Sequence, residues 1–120
     1  MRVAIIWYSD SARPYAEKLR QGLRSFLCEA QTFDYEDWEH TVSPFRATAL
    51  VFVTNRMGDE VESFRWAYRL PKVPFVYLYA DGHVAPKFEK NLVIVNWCYI
   101  RDGIDLFYRV LAPVRALVDP

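Results

Sequence analysis

Four short, almost wholly apolar runs constrain the fold of this chain more than any other feature. They are Val3–Tyr8, Ala49–Val53, Phe75–Ala80 and Leu92–Val95, with helix-like segments between them. A strand that is covered on both faces loses the polar/apolar alternation and reads as a continuous Val, Ile, Leu or Phe stretch. The pattern therefore predicts a parallel sheet with helices on both sides.

A fifth, weaker strand is predicted at roughly Ala30–Tyr35, where the sequence is short and mixed, as in an edge strand. The predicted strands are then Val3–Tyr8, Ala30–Tyr35, Thr48–Thr54, Phe75–Ala80 and Leu92–Trp97. Right-handed crossovers that cover both faces favour the order 2-1-3-4-5. At 120 residues the chain is expected to form one domain over residues 1–120.

Helices are predicted after the first and third strands and at the end of the chain. The first carries apolar residues at three- and four-residue spacing, at Tyr15, Ala16, Leu19, Leu23, Phe26 and Leu27. The third predicted helix covers about Asp59–Leu70, and the last begins near Asp102, with a kink expected at Pro113. The segment Asp81–Asn91 holds Gly82 and Pro86 and is predicted to be mostly loop.

Composition excludes several function classes. The 15 basic and 15 acidic residues give zero net charge with no basic run, so no nucleic-acid partner is expected. No apolar run approaches membrane-spanning length and no signal peptide is recognised, so a cytoplasmic location without membrane association is expected. Few side-chain amides and many charges suggest a thermophilic source. Cys28 and Cys98 fall at opposite edges of the predicted sheet and are expected to be free thiols.

The predicted order places a topological switch between strands one and three, where open α/β sheets bind ligands. The polar side chains expected to line this crevice are those of Ser9, Asp10, Ser11, Thr54, Asn55 and Arg56. Hydroxyls and amides at a helix N-terminus suit a phosphate or a ribose, so a nucleotide-type ligand is one interpretation. The other is that Ser11, or Ser9 with Asp10, only caps the first helix. The turn has no glycine, which excludes a glycine-rich pyrophosphate cradle.

Other chemistry-bearing residues have a functional and a structural interpretation each. Asp59, Glu60 and Glu62 could reach over the crevice, but the helix dipole also favours acids at that end. His40 and His83 lie far apart without further ligands, so no metal site is expected. Rings at strand ends could stack on a flat ligand or simply pack together: Trp7, Tyr8, Trp38, Tyr79, Trp97 and Tyr99.

Several segments together resemble Toll/interleukin-1 receptor (TIR) domains. Val3–Leu23, VAIIWYSDSARPYAEKLRQGL, has the opening strand, the Tyr-Ser pair, an acidic residue and the helix pattern x-x-A-x-x-L-x-x-x-L. Phe33–Trp38 is similar to the second strand of that family and the acidic stretch after it. The late strands of the family resemble Pro74–Tyr79 and Ile94–Trp97, and its proline loop between them resembles Val84-Ala85-Pro86. The resemblance implies a single flavodoxin-like three-layer α/β/α sandwich.

The TIR resemblance also implies a candidate catalytic residue. Enzymatic members cleave NAD⁺ with a glutamate on the helix after the third strand, and Glu62 is the nearest match, with Glu60 second. The chain departs from the family in having Thr54 where a serine is usual and in placing the glutamate several residues early. Strong catalysis is therefore not expected, and whether the chain is an enzyme stays open.

Two further families share this sheet. Ala49–Gly58 and Pro74–Gly82 resemble response-regulator receivers, but Trp7-Tyr8 and Thr54 stand where receivers have carboxylates. Without those groups no Mg²⁺ is held and no aspartyl phosphate forms. Flavodoxins are related by fold, but glycine is missing from Ser9–Pro14, and neither FMN nor any other cofactor is expected.

The leading prediction is a small TIR-like signalling or interaction module that associates with a protein partner or binds a nucleotide-type ligand at the crevice. The alternatives are an NAD⁺-cleaving or related N-glycosidic enzyme using Glu62, and a receiver-like domain without phosphotransfer. A homodimer is also predicted as one form of association, because edge strands invite pairing.

Overall fold

The architecture is built on one six-stranded sheet, and a computed structural model describes it over residues 1–26, 28–36, 46–54, 73–80, 87–88 and 92–113. The strands are β1 (Arg2–Trp7), β2 (Glu29–Asp34), β3 (Ala49–Thr54), β4 (Phe75–Tyr79), β5 (Lys87–Phe88) and β6 (Leu92–Asn96). Their spatial order is β2-β1-β3-β4-β6-β5. The first five in this order pair in parallel. The predicted five-stranded parallel sheet in the order 2-1-3-4-5 is therefore confirmed.

The sixth strand, β5, is a strand that the sequence does not predict. β5 pairs antiparallel with β6 at the far edge of the sheet, where the sequence predicts mostly loop. A strand of two residues carries neither an apolar run nor a measurable alternation, so its sequence gives no strand signal. The other predicted strands differ from the observed ones by one residue at one or both ends.

Burial along the strands follows their place in the sheet. Every residue of β3 and β4 is buried, as expected of central strands covered on both faces. β2 has only Phe33 buried and exposes Glu29 and Gln31, which suits its position at the edge. The apolar runs of the sequence thus mark the centre of the sheet correctly.

Two helices pack together on one face of the sheet. They are α1 (Arg13–Leu23) and α2 (Gly103–Leu106), and α1 buries Ala16, Leu19 and Leu23 toward the sheet. Asp102 is the N-cap of α2, and its side chain accepts a hydrogen bond of 3.0 Å from the amide of Asp105. The start of this helix agrees with the sequence prediction.

The start of α1 corrects the capping interpretation. Ala12 occupies the N-cap position, and it has no side-chain oxygen to accept a hydrogen bond from the first-turn amides. Ser9, Asp10 and Ser11 instead form a tight turn before the helix. In that turn the amide of Ala12 donates to the carbonyl of Ser9 at 2.9 Å. The prediction that these side chains supply the N-cap is therefore wrong.

The last helix changes geometry ahead of Pro113. α2 continues into a π-helical turn over Phe107–Leu111, where the amide of Ala112 donates to the carbonyl of Phe107. A proline has no amide hydrogen, and its ring collides with the carbonyl four residues earlier, which disfavours regular α-helical geometry in that turn. The irregularity lies in the turn before Pro113, where the sequence predicts a kink.

The opposite face of the sheet holds a cluster rich in aromatic residues. Its buried members are Ala4, Ile6, Phe33, Leu50, Phe52, Phe75, Tyr77 and Tyr79. The ring centroids of Phe52 and Tyr77 lie 5.0 Å apart and the rings are nearly parallel. Tyr79 is fully buried in this cluster, so its ring packs within the core and does not line a surface for a ligand.

Some predicted features lie outside the described residues. These are the helix at 59–70, the last two residues of Phe33–Trp38 and the loop at 81–86. Cys28 is buried, Cys98 is exposed, and both are free thiols. In the described part of the chain, no helix has the length and hydropathy needed to cross a membrane.

Candidate functional site

The carboxyl ends of β1 and β3 meet at the switch point of the sheet. β2 lies on one side of β1 and β3 on the other, so the chain reverses its direction of winding there. Trp7 is level with Val53, and the amide of Tyr8 donates to the carbonyl of Val53 at 3.1 Å. The turn after β1 therefore lies beside the last residue of β3, as the sequence predicts.

The structure describes four of the six predicted ligand-binding residues. Ser9 is half-buried, Asp10 and Ser11 are exposed, and Thr54 is fully buried. The hydroxyls of Ser9 and Ser11 share a hydrogen bond of 2.9 Å. A ligand arriving from solvent can therefore reach Asp10 and Ser11 first. Asn55, Arg56 and the predicted catalytic Glu62 lie outside the described residues.

Two backbone amides at the end of the turn are already engaged. The amides of Ala12 and Arg13 donate to the carbonyls of Ser9 and Asp10 at 2.9 and 3.3 Å. Pro14 has no amide hydrogen. Neither of these two amides is therefore free for a bound anion, whereas the side chains of Asp10 and Ser11 are exposed.

Arg13 ends the candidate turn that begins at Tyr8, and the sequence assigns it no role of its own. Its guanidinium carbon lies 5.4 Å from the centroid of the Trp7 ring, and this cation–π contact holds the charge next to the turn. α1 has no acidic residue in its first turn, so the helix dipole and Arg13 both make this end of the helix positive. An arginine at a helix start is common in sequences, and only the fold shows that Trp7 lies beneath it.

The aromatic residues at this edge of the sheet pack largely on one another. Tyr8 stacks on Tyr35 with ring centroids 4.0 Å apart, and Tyr15 stacks on Trp97 at 4.4 Å. The indole nitrogen of Trp97 also donates to the carbonyl of Leu78 at 2.8 Å. These contacts favour the packing interpretation for Tyr8 and Trp97, while Trp38 lies outside the described residues.

Tyr15 joins α1 to the segment before α2. Its hydroxyl donates to the carbonyl of Ile100 at 2.5 Å. Burial raises the pKa of this phenol well above its usual range, and the nearby carboxylates of Asp105 and Asp102 raise it further. The phenol therefore stays protonated in the folded state at pH values where the unfolded chain loses its proton.

Tyr15→Phe is expected to cost about 1–2 kcal/mol at neutral pH, because the Ile100 carbonyl loses its donor. In the wild type, the contribution of the Tyr15 hydroxyl to the unfolding free energy is fully present below pH ~10. It declines above that pH, by about 1.4 kcal/mol at pH ~11, because the unfolded chain loses the phenol proton first. The difference in unfolding free energy between the two proteins should therefore narrow above pH ~10. Urea unfolding of both proteins at a series of pH values measures this difference in unfolding free energy. A difference that stays constant above pH ~10 would contradict the raised pKa of Tyr15.

Metal chemistry has no support within the described ranges. No group of three His, Cys, Asp or Glu side chains in them is arranged to hold a metal ion.

Comparison with known proteins supports the fold and does not extend to function. No protein-family model matches the sequence, and no curated protein is similar to it in sequence. The structure is similar to a crystal structure of a "putative lipoprotein" fragment from Peptoclostridium difficile 630, with a TM-score of 0.59 and 10% identity over 94% of this chain and 97% of that one. The chain is therefore an α/β sandwich that is flavodoxin-like in its general architecture.

Proposed function

We propose that this chain is a TIR-like binding module that takes a nucleotide-type ligand at the switch-point site. The switch-point site consists of the side chains of Ser9, Asp10, Ser11, Arg13, Thr54, Asn55 and Arg56. One observation carries the proposal: the exposed polar turn after β1 lies at the β1/β3 switch point, with Arg13 beside it. Open α/β sheets bind their ligands in this crevice.

The chemistry of the exposed groups supports a ligand that carries both phosphate and sugar. A guanidinium forms charge-assisted hydrogen bonds with phosphate oxygens, and Arg13 places an exposed guanidinium at the site. A carboxylate accepts hydrogen bonds from a ribose diol, and Asp10 is exposed next to the Ser11 hydroxyl. The module acts by binding and by protein association rather than by strong catalysis.

Ligand binding is tested by chemical unfolding in guanidinium chloride with NAD⁺, ADP-ribose, FMN or ATP present. A ligand at 100 times its dissociation constant raises the unfolding free energy by about 2.7 kcal/mol. We expect this rise with NAD⁺ or ADP-ribose. A response to FMN alone would indicate a flavodoxin-like site, and no response to any of the four would contradict ligand binding.

Variants locate the ligand on the molecule. Asp10→Ala and Arg13→Ala each remove a charge-assisted hydrogen bond worth about 1.5–3 kcal/mol, so each should weaken binding of the responding nucleotide by about tenfold or more. Ser25→Ala is the matched control, because Ser25 is exposed just beyond the other end of α1. Unchanged affinity in both charge variants would place the ligand elsewhere.

The sequence also supports an enzymatic alternative that the same samples address. If Glu62 stabilises positive charge on a ribose ring, the chain releases nicotinamide from NAD⁺ and Glu62→Gln abolishes that release. Binding of NAD⁺ without release of nicotinamide supports the binding module. A receiver-like domain without phosphotransfer would bind none of the four nucleotides at this site.

A further inference from the structure

The backbone of β2 presents hydrogen-bonding groups away from the sheet. The amides of Glu29 and Tyr35 donate inward, to the carbonyls of residues 1 and 7, at 3.1 and 2.9 Å. Because strand groups alternate in direction, the amides and carbonyls of Ala30 and Thr32 point outward. Among the described strands none pairs with this side of β2. The outer edge of β2 is therefore a template for another strand.

A groove of about 660 Å³ runs between this edge and α1. Its helical wall is formed by Glu17, Arg20 and Arg24, and its floor by residues 28–32. The hydroxyl of Thr32 donates to Glu17 at 2.6 Å, and Arg20 donates to the same carboxylate at 2.8 Å. Both bonds lower the pKa of Glu17, with the Thr32 bond the larger cause. Arg24, by contrast, is exposed and has no ion-pair partner within the described chain.

We propose that β2 pairs antiparallel with β2 of a second copy of this chain, about a two-fold axis at Gln31. Ala30 of one copy then exchanges backbone hydrogen bonds with Thr32 of the other, and the reverse. The two sheets become continuous. Because the axis is perpendicular to the sheet, both α1 helices lie on the same face of it.

The charges along α1 favour a second copy of this chain as the partner of β2. α1 runs antiparallel to β2, and the Thr32 bond sets Glu17 level with Thr32. Arg24 follows Glu17 by about 10 Å along the helix, since each helical residue rises ~1.5 Å. Along β2 the distance from Thr32 to Glu29 is also about 10 Å, since each strand residue rises ~3.3 Å. Arg24 is therefore level with Glu29. The midpoint of Glu17 and Arg24 is thus level with a point between Ala30 and Gln31, within about 2 Å of the proposed axis, so each Glu17 comes close to Arg24 of the other copy.

The spacing of the helices is also suitable. α1 packs over both β1 and β2. With strands ~4.8 Å apart, two helices centred over their own β1–β2 pairs lie about 10 Å from each other across the new pair. Packed helices are separated by about 8–10 Å, so the two copies of α1 come into contact. Glu17 is paired with Arg20 of its own chain and its side chain is 36% exposed, so Arg24 of the other copy would approach a carboxylate that already holds one guanidinium.

A cysteine at the axis tests the register. In the proposed pairing the two copies of Gln31 form a non-hydrogen-bonded pair with Cα atoms about 4.5 Å apart, which a disulfide can span. Gln31→Cys in a Cys98→Ser background should give a cross-linked dimer on mild oxidation. The wild type is the control for random oxidation, because it keeps the exposed thiol of Cys98, which follows β6 in the other half of the sheet.

A charge exchange tests the contact between helices. Arg24→Glu alone sets the new carboxylate against Glu17 of the other copy at both contacts, and Glu17→Lys alone sets the new ammonium against Arg24. Each variant should raise the dimer dissociation constant at least about tenfold, because like charges across an interface repel. A mixture of the two variants restores both ion pairs and should recover the dimer. Circular dichroism of each variant verifies that it is folded.

Light scattering on a sizing column measures the mass of the full chain in solution. The proposal requires a wild-type mass of twice 14.2 kDa, the cross-link at position 31 and recovery in the mixture. A wild-type mass of 14.2 kDa at every concentration overturns it. A dimer that neither cross-links through position 31 nor responds to Arg24→Glu uses another face, and that result overturns it equally.

Discussion

Gly103→Ala is expected to be among the most destabilising single substitutions in this chain. A Cβ atom at Gly103 would lie 2.1 Å from the carbonyl oxygen of Leu19 and 2.5 Å from the amide nitrogen of Leu23. Both are backbone atoms of α1 and cannot rotate away. The two helices would have to separate, and we expect a loss of about 3 kcal/mol or more in unfolding free energy. That is a large part of the ~5–15 kcal/mol typical of a domain.

The comparison that isolates this contact uses two neighbouring positions. Ile104→Ala, at a side chain that is 44% exposed on the same helix, should change the unfolding free energy far less. Gly22→Ala gives a test of sign. In a helix with open space around it, this change would stabilise by about 1 kcal/mol through helix propensity. Here its Cβ would lie 2.7 Å from the Cα of Gly103, so it should destabilise. Guanidinium unfolding measures all three variants, and stabilisation by Gly22→Ala would contradict the helix contact.

The close contact between α1 and α2 illustrates what the sequence could not predict. Apolar runs predict four of the five parallel strands, because a strand covered on both faces needs them. The handedness of crossovers predicts the strand order, because it constrains the whole topology. The contact between Gly22 and Gly103 joins residues far apart in the chain, and neither glycine carries a pattern that points to the other. The sequence does not predict β5 for a different reason: so short a strand depends on pairing with its neighbour β6 rather than on its own residues.

The candidate site shows the same division. The prediction placed Ser9, Asp10 and Ser11 at the end of β1, because strand and turn signals fix that position along the chain. The same three polar residues suggest the wrong helix cap, since their order does not reveal that Ala12 occupies the N-cap. The sequence assigns no role to Arg13 or Tyr35, because their contacts with Trp7 and Tyr8 exist only once the strands are assembled.

Phe52→Ala is expected to have the second large effect, on the other face of the sheet. Phe52 is fully buried in the middle of β3 and stacks on Tyr77 at 5.0 Å and on Phe75 at 6.1 Å. Truncating a buried phenylalanine costs about 3–5 kcal/mol, since the lost transfer free energy adds to that of the cavity. The lost aromatic pairs, worth about 0.5–1.5 kcal/mol each, are part of that cost and favour its upper end. A large part of the ~5–15 kcal/mol typical of a domain would be lost.

Phe52 also connects the core to the switch-point site, because its ring contacts Tyr8 with centroids 6.3 Å apart. Phe52→Leu keeps most of the volume and should fold, so its effect on nucleotide affinity can be measured separately from its effect on stability. Tyr108→Ala is the control for aromatic truncation, because that ring is 63% exposed. If Phe52→Ala unfolded at the same guanidinium concentration as Tyr108→Ala, the aromatic cluster would not be a cooperative part of the core. A weaker nucleotide response in Phe52→Leu, at nearly unchanged stability, would show that packing beneath Tyr8 positions the turn that holds Asp10 and Ser11.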